Sequence, residues 1–278
     1  MIKKIMFFII LTLYLVAEEK LEPRFNLKSG ISYTSYVIDV TSSNLNRAIN
    51  YRVLESKLGL SYSWEKGSIG LYSQFLLDSY KSSNMTLYTR DTPLNDIASI
   101  NRENFYFYTN YKFSKYFLIN LIYRYNQLES NYLYNSGDYS YKPHFNYKTN
   151  GLGVSLQYNI PISTDTIKLK AYQKASLGLS VGLLYSKANV NIFEELNSVN
   201  YDMFINDTSN ALGVKLSVGY NLTWDNITFQ VFGDWYQYNF DKLSIKSNKI
   251  KTNIHEQASL KENTYSIGFK INYRPRFY

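Results

Sequence analysis

Apolar and polar residues alternate along most of this chain. In "LGVKLSVGYNLTWDNITFQVFGDWYQY", residues 212–238, Leu212, Val214, Leu216, Val218, Tyr220 and Leu222 share one face. Gly213, Lys215, Ser217, Gly219 and Asn221 share the other, and the rhythm resumes after Thr-Trp-Asp-Asn with Ile227, Phe229, Val231 and Trp235. A period of two belongs to β-strands, whose successive side chains point to opposite faces. The same pattern marks 25–37, 54–64, 69–77, 105–113, 117–125, 152–160, 177–185 and 265–273, giving ten candidate strands. Some gaps are hairpin-sized, as at Glu-Lys-Gly after Trp64, Ser-Lys-Tyr after Phe113 and Thr-Trp-Asp-Asn after Leu222, and Pro161 opens a turn. The others, 41–51, 79–102, 127–147, 187–209 and 240–263, are long and rich in Asn, Ser, Asp and Lys. Short and long gaps take turns, which predicts an up-and-down sheet with tight turns at one end and five long loops at the other.

The two faces decide what surrounds the sheet. The apolar faces carry no Lys, Arg, Asp or Glu, whereas the opposite faces hold Lys28, Glu55, Lys57, Asp78, Lys112, Arg124, Lys215, Asp234, Lys270 and Arg274, with many glycines. A soluble barrel that buried this second face would strand charges in a dry core. A membrane barrel turns it inward and gives the greasy face to lipid, where a cation at mid-bilayer costs about 2–4 kcal/mol. A strand of about ten residues, rising ~3.3 Å each and tilted ~45°, spans roughly 23 Å, the height of an outer-membrane apolar band. Aromatic residues gather at both strand ends, as headgroup-level girdles do. One set is Tyr62, Trp64, Phe113, Tyr116, Phe117, Tyr158, Tyr220, Trp224 and Tyr273; the other is Tyr36, Phe105, Tyr125, Tyr147, Tyr185, Trp235 and Tyr265. The expected fold is all-β: a ten-stranded antiparallel up-and-down transmembrane β-barrel, closed so that no strand edge is left unpaired in the bilayer.

Composition fits this picture. Tyrosine reaches 29 of 278 residues and aromatics 17%, a content that favours pleated strands. Mean hydropathy is negative, −0.31, which excludes a helical membrane protein. Cysteine is absent, so disulfides and thiolate metal sites are excluded. Lys3 and Lys4 precede an apolar run from Ile5 to Val16, and Ala17 follows as a cleavage residue. That run is shorter than the about 20 residues a spanning helix needs and reads as a secretory signal peptide. The expected division is therefore 1–17 signal peptide and 18–278 barrel, destined for the outer membrane with both ends of the barrel in the periplasm. Lipid, lipopolysaccharide and the barrel-assembly machinery are the expected partners. No Gly-rich phosphate loop or metal-ligand spacing occurs, so no cofactor is expected. The net charge of +8 is scattered rather than striped, which disfavours nucleic acid.

Ten strands lie nearer the filled eight-stranded barrel than the 16-stranded channel. The inward charges then form either a structural salt-bridge network or a narrow, weakly anion-selective pathway. In topology and strand rhythm, with segments such as "GLGVSLQY" and "NITFQVFGDW", the chain resembles the omptin outer-membrane proteases. That resemblance implies an acidic pair near the second loop and an Asp–His pair near the fourth. Here the second loop offers Asp91 and Asp96, and the fourth offers Glu194, Glu195, Asp202 and Asp207 without a histidine. The two histidines are His144, in the third loop, and His255, in the fifth, so no catalytic position is carried over. The fifth loop is basic, with Lys242, Lys246, Lys249 and Lys251. The reading is a non-enzymatic surface protein that makes contacts through its loops; an omptin-like endopeptidase with a rearranged site and a narrow porin are the alternatives.

Overall fold

In a computed structural model, residues 24–43, 46–77, 83–89, 92–131, 134–136, 139–163, 173–196, 199–247 and 256–275 are described. The segment expected as a signal peptide, 1–17, lies outside them, as do Asp78, Lys249, Lys251 and His255. The strands are β1 Arg24–Thr41, β2 Asn46–Trp64, β3 Gly67–Leu76, β4 Ser83–Thr89, β5 Thr92–Lys112, β6 Phe117–Asn131, β7 Tyr134–Ser136, β8 Tyr139–Ile162, β9 Gln173–Leu196, β10 Val199–Trp224, β11 Ile227–Ser247 and β12 Gln257–Tyr273. Each pairs antiparallel with its neighbours, and β1 pairs with both β2 and β12, so the sheet closes. Strands β3 and β4 both lie between β2 and β5 and form one interrupted stave. Strand β7 is a short flap on β8. The result is a closed barrel of ten staves.

Around the end with the short turns, the outer wall is apolar. Leu27, Ile31, Leu58, Leu156, Val181, Leu183, Val218, Val231 and Ile267 are all exposed, as the alternation requires. Phe105, Tyr185 and Tyr265 ring its upper edge. Placing a charge in this band tests the assignment. Val181→Arg, mid-band on β9, is expected to lower stability by about 2–4 kcal/mol in lipid vesicles, read from guanidinium unfolding.

Above that edge the wall inverts. Strand β9 turns Lys187 and Asn189 outward, and β10 does the same with Asn206, Thr208 and Asn210. The inward positions become apolar: Ile38, Val40, Phe145, Val190, Ile192, Ile205, Phe240, Leu243, Ile245 and Leu260 form a core almost without solvent contact. The strands therefore rise past the apolar band as a collar with a wet outside and a dry inside. Most of the segments expected as long loops are these strand continuations: β9 and β10 run to Leu196 and Val199, across most of 187–209. Their Asn- and Lys-rich composition belongs to the outward face. Tyr36 and Tyr147, expected in the upper girdle, instead point into the barrel with 2% and 0% exposure.

A bulge in β11 keeps its apolar residues inside. Below it the inward residues are Phe232, Tyr236, Tyr238 and Phe240; above it they are Leu243 and Ile245. The change of parity requires one extra residue in the ladder, and the pairing with β12 shifts between Phe240 and Leu243. Lys242 supplies the turn at φ 63°. Asp207 of β10 bridges the gap, accepting hydrogen bonds from the backbone N–H of Ser244 at 2.8 Å and of Thr208 at 2.7 Å. Desolvation, the largest single influence, acts upward on its carboxyl, but these hydrogen bonds together outweigh it and hold the group below its ordinary value of 3.8. A depressed carboxylate stabilises the fold above its unfolded value and loses that contribution as pH falls through the folded one. The Ser244 amide is thus expected to stay protected from hydrogen exchange at neutral pH and to lose protection only in acid below the ordinary aspartate range. Asp207→Asn should remove that acid step.

Candidate functional site

The barrel interior holds the polar chemistry, arranged in tiers beneath the dry collar. In the upper tier, two carboxylates face two guanidiniums. Glu55 Oε1 lies 3.7 Å from Arg102 Nη1, and Glu262 Oε1 lies 3.8 Å from Arg124 Nη2, all four side chains being almost fully buried. Glu55 also accepts hydrogen bonds from Thr34 Oγ1 at 2.7 Å, from the Tyr36 hydroxyl at 2.8 Å and from Gln74 Nε2. Glu262 accepts from the Tyr147 hydroxyl at 2.6 Å and from Thr264 Oγ1 at 3.1 Å. Arg102 stacks on the Tyr36 ring at 3.4 Å and donates through Nε to Asn126 at 2.8 Å. Arg124 stands within 6 Å of the Tyr106, Tyr236 and Tyr238 rings. These inward tyrosines thus serve as ring partners to the guanidiniums and as hydroxyl donors to the carboxylates. With their charges matched across the lumen, these buried groups fill it at mid-height.

The lower tier is unbalanced. Lys57 and Lys270 both stand over the Phe232 ring, at 4.4 and 3.8 Å from its centre. Lys215 faces Tyr236 at 5.3 Å, and Lys28 donates to the Tyr108 hydroxyl. Asp234 shares this space with Lys270, Lys215 and Lys57. A glycine makes room for this crowd. Gly30 lies in register between Lys270 and Lys57, and a Cβ there would stand 2.9 Å from Lys270 Cγ and 2.5 Å from the Phe269 carbonyl oxygen. These lysines and Asp234 line a partly open cavity of about 310 Å³. Its lower lining residues, Asn221 and Thr228, lie close to the turn at Asp225 and Asn226.

Two residues expected in the lumen sit elsewhere. Lys112, the last residue of β5, and Arg274, just past β12, are exposed at the short-turn mouth. Arg274 Nε donates to Asn26 Oδ1 at 3.2 Å, joining the end of β12 to the start of β1. They fall at strand ends, where the inward parity still holds but the wall no longer encloses a side chain. Arg102 and Glu262, central to the upper tier, escaped sequence reading because they lie inside 79–102 and 240–263, segments that read as loops. Their signal was the continued alternation of "NRENFYFY" and "LKENTYSI".

His144 lies on β8 rather than in a loop, and its ring stacks on Phe193 at 4.4 Å and 14°. Both alternate with inward Phe145 and Ile192, so the pair belongs to the outer wall of the collar. Lys242 and Lys246 are likewise strand residues of β11, exposed on the collar. Among the described residues, no three His, Asp or Glu side chains converge on a metal position.

No family model matches the sequence, and none of the curated proteins does. Solved structures do match the fold. The outer membrane protease OmpT from Escherichia coli superposes with a TM-score of 0.56 at 12% identity, over 92% of this chain and 99% of its own. The translocator domain of the autotransporter NalP from Neisseria meningitidis gives a TM-score of 0.51 at 9% identity, over 99% and 96%. At such identities the likeness is one of architecture: the chain has the closed antiparallel fold of bacterial outer-membrane β-barrels, a fold that hosts several unrelated activities.

Proposed function

We propose that the protein is a non-enzymatic surface barrel of the outer membrane, a plugged anchor that holds a rigid collar outside the lipid for contact with lipopolysaccharide, ligands or other cells. The observation that carries this reading is the inversion of the wall above the aromatic ring. Strands that end at the bilayer need no dry core beyond it, whereas a projecting platform does. The contact surface is the polar exterior of the collar, with Lys187, Lys242 and Lys246 among its cations. A rigid scaffold carrying polar side chains is a common form of recognition surface.

Two features speak against the alternatives. A narrow pore is disfavoured by the matched ion pairs and the dry core stacked across one lumen. A peptidase is disfavoured by His144, which packs flat on Phe193 at the outer wall. Planar-bilayer recording tests the reading: the folded protein is expected to insert without a measurable single-channel conductance. Steady ohmic steps, or cleavage of a peptide library by the same preparation, would overturn it.

A further inference from the structure

We propose that the lower half of the lumen is a blind vestibule that binds a small multivalent oxyanion of the phosphate class. The argument is one of charge matching within a confined volume. In the upper tier Arg102 and Arg124 are met by Glu55 and Glu262, so it is self-neutral. Beneath it, Lys28, Lys57, Lys215 and Lys270 line one cavity, and Asp234 is the single carboxylate among the described residues around it. Two of the four ammoniums crowd over one phenyl ring. Its charged lining comes from the inward faces of the strands, and the ion network and collar lie above it.

Fixed cations in a low-dielectric enclosure focus potential on the space between them. Lysine serves phosphate as a point charge, without the planar geometry that arginine imposes. The volume, about 310 Å³, is at the small end of ligand sites, which suits phosphate or pyrophosphate better than a nucleotide. A monovalent ion such as chloride neutralises less of the excess charge and binds more weakly. The site works from the short-turn end and does not depend on what the collar contacts.

The test is calorimetric titration of the refolded barrel in zwitterionic micelles at low ionic strength, with inorganic phosphate and then pyrophosphate. The expected result is saturable binding at one site, tighter for pyrophosphate and weakened at least tenfold by 0.5 M sodium chloride. Lys270→Met is expected to reduce affinity at least tenfold. Lys28→Gln, nearer the mouth, is expected to reduce it about fivefold and provides the readout if the first variant does not fold. Lys246→Gln on the collar should leave binding unchanged. Absence of saturable binding overturns the proposal, as does equal loss in Lys246→Gln. So does binding of phosphatidic acid in the micelle where inorganic phosphate gives none, because that places the site on the lipid face.

Discussion

Replacing Glu55 by alanine is expected to lower stability by about 3–5 kcal/mol, the range for breaking a buried ion pair from one side. Two costs combine. Arg102 keeps its charge with 3% exposure and loses its carboxylate. Thr34, Tyr36 and Gln74 lose the acceptor on which all three converge, and a buried donor left without a partner costs its full desolvation penalty as well. Glu55→Met combined with Arg102→Met separates the effects. It removes both charges and fills similar volume, so it should recover most of the loss, as apolar replacement of buried pairs often does. Urea unfolding from lipid vesicles reads both variants. A double variant as unstable as the single one would mean that the hydrogen-bond network, rather than the orphaned charge, dominates.

Phe240→Ala is the second large effect, at about 3–5 kcal/mol. Phe240 is fully buried in the collar, stacks on Tyr238 at 5.8 Å and meets Tyr147 edge-on at 6.0 Å. Truncation leaves a cavity that the surrounding strands, fixed by their ladders, cannot collapse. A phenylalanine facing lipid behaves differently. Phe269→Ala, 40% exposed on the apolar band, trades ring contact for lipid contact and opens no void in a packed interior, so it should cost clearly less. The ratio of the two losses separates a dry collar from a continuation of the membrane wall.

The lower half of the barrel was legible in the sequence because one physical demand governs it. Lipid excludes charge from one face for the whole length of the band, so the alternation in 177–185 or 265–273 runs unbroken. The collar was not, because it reverses that demand partway along each strand. In β1 the outward apolar residues Ile31 and Tyr33 are odd-numbered, while the inward apolar residues Tyr36, Ile38 and Val40 are even-numbered. A search for one continuous greasy face ends where the phase changes and assigns the remainder to a loop. The β11 bulge at Lys242 adds a second change of parity that composition does not announce. The same error hid the upper ion network. Lys57, Lys215, Asp234 and Lys270 fell within recognised strands, but Arg102 and Glu262 lay beyond the phase change, so Glu55 and Arg124 had no visible partners. Tyr36 and Tyr147 were drawn to the girdle by position alone, although each lies an odd number of residues from the outward face of its strand.

Strand β9 carries the central claim in three nearby positions, and the absence of native cysteine makes them cleanly addressable. Single cysteines at Val181, Asn189 and Val190, each bearing a nitroxide in protein reconstituted into bilayers, report accessibility to oxygen and to a water-soluble nickel chelate. The account predicts that position 181 is open to oxygen and closed to nickel, 189 is open to nickel, and 190 is closed to both. A label at 189 immersed in lipid, or one at 190 freely reached by nickel, would contradict it.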